Sequence, residues 1–409
     1  MGQPPIRELA RGKSRPLIIV DDLTRPTPAA RVIPHVLEQF AAAGIAKENV
    51  TVLMGTGTHG PPGAGGMEKK VGPEASSSCR LLVHQHRENL VRIGRTSFGT
   101  PVFVNKEVAA SDLVVGIGGV YPQNSTGFGG GSKLAIGVLG RPSIVRLHYG
   151  HRSVMGSYDI DNDFRRDLDE IARMIGLSTT IGLHVDANRD AVRIVSGDHN
   201  LYYRDAVAFS RERYKASLPT EADVVISNAY PMDVSLTMMH IKGVIPLLHA
   251  KPGASRVLVA ACPEGVGHHD LFPFIGGPRF RRQRNWARSA IARPGAVPHK
   301  AAGKVWQRIG RARRRLAQVT TGPASQARPN TNRIWLYAPG KDASRIPAEI
   351  PEMTLCDTWE RVVQAIMREQ GTRTALKVMI YPCAPLHVLD LPQPMQAVHA
   401  PQVRSDIVA

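Results

Sequence analysis

Five polar stretches carry side chains able to bind charge or move protons. Gly127-Phe128-Gly129-Gly130-Gly131-Ser132-Lys133 follows an apolar run, Leu113–Ile117. Consecutive glycines let a backbone approach a ligand closely, and their N–H groups can converge on an anion. Lys133 ends the stretch as a cation or an amine nucleophile. Leu134 stands where a Walker loop needs its Mg²⁺-binding Ser or Thr, so this is not the usual ATP loop. Asp22-Leu23-Thr24-Arg25 sets a carboxylate, a hydroxyl and a guanidinium on one loop braced by Pro26 and Pro28. Its arginine suits bidentate capture of a carboxylate or phosphate. Gly55-Thr56-Gly57-Thr58-His59-Gly60 spells a dinucleotide fingerprint, but Pro61 and Pro62 leave no helix N-terminus for a pyrophosphate. Its His59 can titrate near neutrality and exchange a proton. His148 and His151 are three apart, which is not the usual i, i+4 chelating pair. One histidine completing the coordination of a metal carried by an organic cofactor fits better. Finally, Asn228–Asp233 follows a strand, and Lys242 on the next helix could close over an anion. Taken singly, each stretch has an ordinary structural counterpart, namely a flexible turn, a loop ion pair or a surface lysine.

The elements that must position these stretches follow from the apolar pattern. Pro16–Val20, Val50–Met54, Leu81–His84, Val102–Asn105 and Leu113–Ile117 read as strands, with a helix at Ala29–Ala43. Further helices are expected at Ser143–His148, Asp167–Ile175 and Tyr203–Ala216, and a hairpin around Asn188–Asp190. After a linker at Leu218–Thr220 a second pattern begins: strand Val224–Ser227, helix Leu236–His249 and strand Arg256–Ala260, with Pro246 kinking or ending the helix. Strand Ile334–Ala338, helix Trp359–Glu369 and strand Ala375–Tyr381 follow, and the chain from Pro382 is expected on the surface. The fold expected is α/β, with two α/β domains and the active site in the cleft between them. Their bounds are 1–217 for the cofactor-binding domain, 221–390 for the second and 391–409 for a proline-rich tail.

With 409 residues, two domains are the natural prior, and 43% hydrophobic residues is ordinary for a globular chain. No apolar run is long enough to cross a bilayer and no secretory signal opens the chain, so cytoplasmic residence is the default expectation. The four cysteines, Cys79, Cys262, Cys356 and Cys383, are scattered and support neither a zinc site nor a disulfide framework. A net charge of +18 makes nucleic acid worth testing, and much of the excess lies between Arg279 and Arg328. A solvated face is the favoured reading, with a helix at Val305–Gln318, because no nucleic-acid-binding motif accompanies the charge. His268, His269, His84 and His86 read as structural.

In order and spacing the stretches together resemble the LarA family, the nickel-pincer-nucleotide-dependent lactate racemases and related 2-hydroxyacid racemases and epimerases. Asp22–Pro26 is similar to the family's D-x-T-R-P loop, Thr56–His59 to its G-T-H segment and Gly129–Lys133 to its S-G-G-x-K loop. Tyr230–Asp233 with Lys242 is similar to its P-x-D…K segment. The resemblance implies a nickel-pincer nucleotide, tethered to Lys133 through a thioamide and supplied by cofactor-synthesis enzymes, with a small 2-hydroxyacid as substrate. It implies that His148 is the protein ligand to nickel, with His151 as the rival. It further implies that Arg25 and Lys242 hold the substrate carboxylate. Asp22, Thr24 and the glycines Gly129, Gly130 and Gly131 would support the nucleotide. His59 would be one of two histidines exchanging the hydroxyl proton. The second would lie ten residues before the lysine, where this chain has Gln123, which cannot serve as a base near neutrality. Met238 and Met239 replace polar residues common in the family beside Lys242. These departures point to an altered substrate, such as a larger hydroxyacid or a sugar acid. The competing readings are a catalytically silent member that carries the cofactor, and a basic nucleotide- or nucleic-acid-binding protein.

Overall fold

A computed structural model describes residues 2–123, 125–151, 158–271, 333–339, 353–371 and 375–391, with the backbone alone at 240. Two sheets carry the chain. The first contains β1 (Pro16–Asp21), β2 (Thr51–Gly55), β3 (Arg80–Val83), β4 (Leu113–Gly119), β5 (Leu177–Val185) and β6 (Ala191–Gly197), in the order β6-β5-β4-β1-β2-β3. Only β6 runs antiparallel to its neighbour. The second contains β7 (Val224–Asn228), β8 (Ser255–Val259), β9 (Ile334–Tyr337), β10 (Met353–Cys356) and β11 (Val378–Tyr381), all parallel, in the order β10-β9-β8-β7-β11. The chain is thus α/β, as the strand–loop–helix alternation predicts.

Period-two alternation divides β1 between the two faces of its sheet. Ile18 and Val20 join a core with Leu37 and Phe40 of α1 (Ile33–Ala41), whereas Leu17 and Ile19 pack with Ile144, Phe164 and Leu168. Those last three lie on α3 (Arg141–Gly150) and α4 (Asp163–Met174), which follow α2 (Gly66–Ser78) in the chain. A third core joins Val120, Tyr121 and Phe128, beyond the end of β4, to Met232, Leu236 and Met239, beyond the end of β7. The loops at the carboxyl ends of strands in both sheets therefore share buried contacts, where ligands of α/β sheets gather.

Several elements depart from the sequence reading for local reasons. The helix expected from Ala29 opens with a 3₁₀ turn, Ala29–Arg31, and becomes α-helical at Ile33, with Pro34 in its first turn where no N–H is needed. After α5 (Tyr203–Arg213), Lys215-Ala216 leaves the helix and pairs with Val388-Leu389. The single helix expected over Leu236–His249 is two, α6 (Leu236–Lys242) and α7 (Ile245–Leu248). Gly243 lies between them, so close to the sheet that a Cβ there would come within 2.7 Å of both Ala229 and Leu258, and Pro246 starts the second helix. The chain after Pro382 is not a surface tail at first, since Ala384, Pro385, Leu386, Val388 and Leu389 are buried. The pattern missed α2, whose apolar spacing is broken by Gly72 and Pro73. The basic segment, with the helix expected at Val305–Gln318, and residues 392–409 lie outside the described residues. No helix among the described residues is long and apolar enough to cross a membrane.

Candidate active site

The loop leaving β1 is the most heavily bonded part of the site. Asp22 Oδ1 accepts the Thr24 N–H at 2.8 Å and the Thr24 hydroxyl, while Oδ2 accepts from His59 Nδ1 at 2.5 Å. Thr24 Oγ1 in turn accepts from Arg25 Nη1 at 2.8 Å. Burial alone would raise the Asp22 carboxyl, but His59, then Arg25 and Thr24, overcome it and hold the group well below the usual carboxylate range. Asp22 and Thr24 were expected to support a nucleotide. Their side chains engage one another, His59 and Arg25. A carboxylate only accepts, so His59 carries its neutral-form hydrogen on Nδ1 and presents the Nε2 lone pair outward.

Beneath this loop lies Lys70 of α2, buried, a residue the sequence did not single out. Its Nζ reaches the carbonyl oxygens of Asp22, Arg25 and Thr27 at 3.2, 3.3 and 3.1 Å, and Asp21 Oδ1 at 2.5 Å. Asp21 Oδ2 also accepts from the Thr27 hydroxyl at 2.5 Å. One ammonium thus gathers three carbonyls of the sharp turn, two of which, those of Asp22 and Thr27, also accept the Arg25 and Ala29 N–H groups.

The glycine loop does something other than cradle an anion. Gly129 N–H donates to the Tyr121 carbonyl at 2.8 Å and Gly131 N–H to the Tyr202 hydroxyl at 3.0 Å, so both are already spent. A Cβ on Gly129 would stand 2.6 Å from the Gly119 carbonyl oxygen, on Gly130 2.8 Å from Val120, and on Gly131 2.7 Å from the His199 carbonyl oxygen. The glycines therefore admit protein rather than ligand. They bend the chain into the 3₁₀ segment Gly131–Val138, which carries Lys133. Gly137 of that segment packs backbone to backbone on Gly55, where a Cβ on Gly137 would lie 2.9 Å from the Gly55 oxygen, and its carbonyl accepts from Gly57 N–H at 2.9 Å. The G-x-G-x-x-G letters thus record a packing contact. Lys133 is half-buried, and burial, followed by Arg25 and Arg165, pushes its ammonium down to about 7. Arg165, also missed by the sequence reading, is buried, stacks 3.6 Å from the Tyr203 ring centre and donates to the Gly130 carbonyl at 3.0 Å.

His148 and His151 part company. His151 Nε2 lies 2.7 Å from the buried Asp167 carboxylate, which also accepts from Thr100, so His151 is tied into a structural network. His148 Nδ1 donates to the Ile144 carbonyl at 2.8 Å, leaving the neutral ring's lone pair on Nε2. Burial, with smaller contributions from Lys133 and His59, lowers its pKa to about 4 although the Ile144 carbonyl works the other way. This is the tautomer a soft or borderline metal takes. Among the described residues no three His, Cys, Asp or Glu side chains gather as they would around an ion held by protein alone. His148 and Lys133, which act on one another electrostatically, are a neutral nitrogen ligand and an amine of the kind that a metal carried in an organic group would use.

The second sheet adds Lys242 and, unexpectedly, His269. Lys242 is buried at the end of α6, where its Nζ donates to Gln123 Oε1 at 2.6 Å. Burial, then Arg25 and Lys133, lower its pKa well below the ordinary lysine value. His269, read from sequence as structural, pairs as a β-bridge with His59, and the two ring centres are 4.9 Å apart at 62°. Burial, then His59, His148 and Arg25, bring its ring down to about 2, so it is neutral. The neighbouring Asp270 Oδ2 accepts from His86 Nε2, Arg87 Nη2 and Arg141 Nε at 3.0, 2.6 and 3.0 Å. His84 keeps the structural role expected of it, bonded to the Leu139 carbonyl at 2.9 Å. In sum, Asp22, Arg25, His59, Lys133, His148, Lys242 and His269 act on one another electrostatically, while His151 is committed elsewhere. Nothing in the sequence marked Lys70, and His269 reads there only as a structural histidine.

Known proteins share this arrangement of sequence and fold. Residues 1–157 match the family described as the lactate racemase N-terminal domain. The lactate racemase of Lactiplantibacillus plantarum is 25% identical over 284 residues, covering 66% of this chain and 66% of the relative. That of Thermoanaerobacterium thermosaccharolyticum is 25% identical over 281 residues, with the same shares. In structure, the T. thermosaccharolyticum lactate racemase apoprotein superposes with a TM-score of 0.67 at 20% identity, covering 95% of this chain and 89% of the other. A structural-genomics protein from Thermotoga maritima superposes with a TM-score of 0.58 at 15% identity, covering 95% and 97%. With a matching N-terminal domain, two curated relatives and a shared fold, the chain is similar to lactate racemases in sequence and in fold.

Proposed function

We propose that this protein is a nickel-pincer-nucleotide-dependent racemase or epimerase of 2-hydroxyacids, with its active site between the two α/β units. The observation that carries the reading is the Asp22–His59 pair at 2.5 Å, which fixes the imidazole within electrostatic reach of His148, on which Lys133 also acts. A 2-hydroxyacid is a poor carbon acid, so inversion by simple deprotonation at Cα is difficult. Removing the hydroxyl proton while Cα gives up a hydride produces a stable 2-keto acid, and return of the hydride to the other face inverts the centre. The nickel-pincer nucleotide, when bound, supplies the site that accepts and returns that hydride.

The chain's own residues do the remainder. Lys133 tethers the group through its amine, and a pKa near 7 leaves much of that amine nucleophilic at neutral pH. His148 offers Nε2 to the metal. Arg25 and Lys242 orient the substrate carboxylate. His59 Nε2 takes the hydroxyl proton, and Asp22 stabilises the imidazolium that results. The contact between Gln123 and Lys242 favours a particular form of the reading. With an amide where the resemblance implies a second histidine, the substrate is a hydroxyacid other than lactate, such as a larger one or a sugar acid.

The test is co-expression of the full chain with the cofactor-synthesis enzymes, followed by intact mass spectrometry, nickel analysis and assay against a panel of chiral 2-hydroxyacids. A mass increase on Lys133, about one nickel per chain and epimerisation of a panel member are expected. Nickel-free protein that binds nucleic acid in a salt-dependent manner would replace this reading with that of a basic binding protein. Loaded protein that turns over no member of the panel would point to a cofactor carrier.

A further inference from the structure

Lys70 and Lys242 are both buried, with partners that differ in kind. Lys70 pairs with the Asp21 carboxylate at 2.5 Å and with three carbonyls. Lys242 donates to Gln123 Oε1 at 2.6 Å, and among the described residues no carboxylate and no second acceptor bonds it. An amide oxygen accepts a hydrogen without neutralising the lysine, so it holds the side chain and leaves its charge to an incoming anion.

Both ends of this bond are fixed by their backbones. Gln123 belongs to a short hairpin in which Pro122 pairs with Phe128 and Gln123 with Gly127. The hairpin is fastened by the Gly129 N–H on the Tyr121 carbonyl at 2.8 Å, and it leads into the segment that carries Lys133. Lys242 is the last residue of α6, which the Ser235 hydroxyl caps through the Met238 N–H at 3.3 Å. A lysine only donates, so the amide of Gln123 must turn its oxygen toward Nζ, and its orientation follows from chemistry. The resemblance to the racemases implies a base at position 123. The structure gives that position a neutral acceptor, bonded across to the second sheet's unit.

We propose that Gln123 is a positioning residue for substrate binding, whose side-chain oxygen fixes the Lys242 Nζ that receives the carboxylate of a 2-hydroxyacid. The role of Lys242 rests on the function proposed above, and its pairing with Gln123 rests on the contact alone. One ammonium hydrogen is spent on Gln123, and its direction aims the other two. An apolar side chain at 123 would leave Nζ without that acceptor. A carboxylate there would form an ion pair with Lys242 and compete with the substrate.

The test compares Gln123→Met, which removes the acceptor, with Gln123→Glu, which keeps the acceptor and adds a charge. The full chain is loaded by co-expression and assayed on the panel hydroxyacid that the wild type turns over. Gln123→Met is expected to raise KM about tenfold or more, with kcat within about threefold. Gln123→Glu should raise KM further, because its carboxylate occupies Lys242. KM within about twofold of wild type in both variants would overturn the proposal. Lysine ¹³Cε spectra of the unloaded full chain, with the Lys242 signal assigned by its loss in Lys242→Met, give a readout that a packing role would not move. The wild-type signal should titrate below the ordinary lysine value, since burial, Arg25 and Lys133 disfavour the charge. Gln123→Glu should raise that midpoint by about one unit or more, and Gln123→Met should lower it, because the bond favours the charged form. If the wild type epimerises nothing, the proposed function fails, and the spectra decide whether Gln123 governs Lys242. Midpoints displaced in those two directions support the pairing, and midpoints equal to wild type in both variants end it.

Discussion

The site has two sides, built in different ways. On the first sheet's side, Asp22, Thr24, Arg25 and His59 are bonded to one another, and Lys70 ties the loop down from below with contacts to Asp21 and three carbonyls. From the second sheet's side, Lys242 and His269 reach the site through one side-chain hydrogen bond and one β-bridge, with Asp270 as the anchor. The first side is preorganised by buried charge, which is expensive to disturb. The second is held by fewer charged contacts, laid over the apolar core that Val120, Tyr121 and Phe128 share with Met232, Leu236 and Met239. A proton-transfer pair belongs on the rigid side, where distances must hold, and groups that admit and release substrate belong on the other.

Changes to the rigid side should therefore be the more damaging. Asp22→Asn should lower kcat by about 10³–10⁴, because the amide permits the wrong His59 tautomer while leaving the fold in place. Steady-state kinetics with unchanged circular dichroism would establish this, and a loss below tenfold would contradict the pairing. Lys70→Met should cost roughly 3–5 kcal/mol of stability, since it removes the buried cation paired with the Asp21 carboxylate, as measured by chemical denaturation. Asp270→Ala acts on the compliant side. It should alter global stability by less than about 1 kcal/mol, since Arg87 is exposed and Arg141 partly so. Hydrogen exchange should nevertheless speed up at residues 268–271, and protection equal to wild type there would erase the distinction between the two sides.

The smallest effect concerns Lys133. Its folded pKa, about 7, lies below the ordinary 10.5, so between those values the unfolded chain holds more protons than the folded one. Its contribution to stability is accordingly least favourable below pH 7 and improves as pH rises toward 10.5. Unloaded protein should gain stability from pH 7 to 9.5 by more than the Lys133→Met variant does. An amine-directed reagent should label Lys133 with a midpoint near pH 7.

Most of the scaffold was legible because both sheets are built from short apolar runs between polar turns, a pattern that survives without any tertiary information. Boundaries slipped where tertiary contact decided them, as at Gly243, whose approach to Ala229 and Leu258 no local signal announces. The site was legible where a motif is compact, as in Asp22–Arg25 and Thr56–His59. It was not legible where one charge serves a distant loop: Lys70 reads as the second of two lysines in a polar stretch, and its partners lie more than forty residues away. The glycine loop misled in an instructive way, since the same absence of Cβ that would admit an anion admits the Gly119 carbonyl and Val120 instead.

The contact between Gly55 and Gly137 sets a tolerance for the whole centre. Each lacks a methyl because the other's main chain occupies that space, so the turn bearing Lys133 rests directly on the strand leading to His59. Alanine at either position would wedge the two apart by a fraction of an ångström, altering the gap between amine and imidazole without touching either. The spacing of the two elements is thereby gauged by a pair of hydrogen atoms, and directed evolution of this scaffold should find those two positions closed to every larger residue.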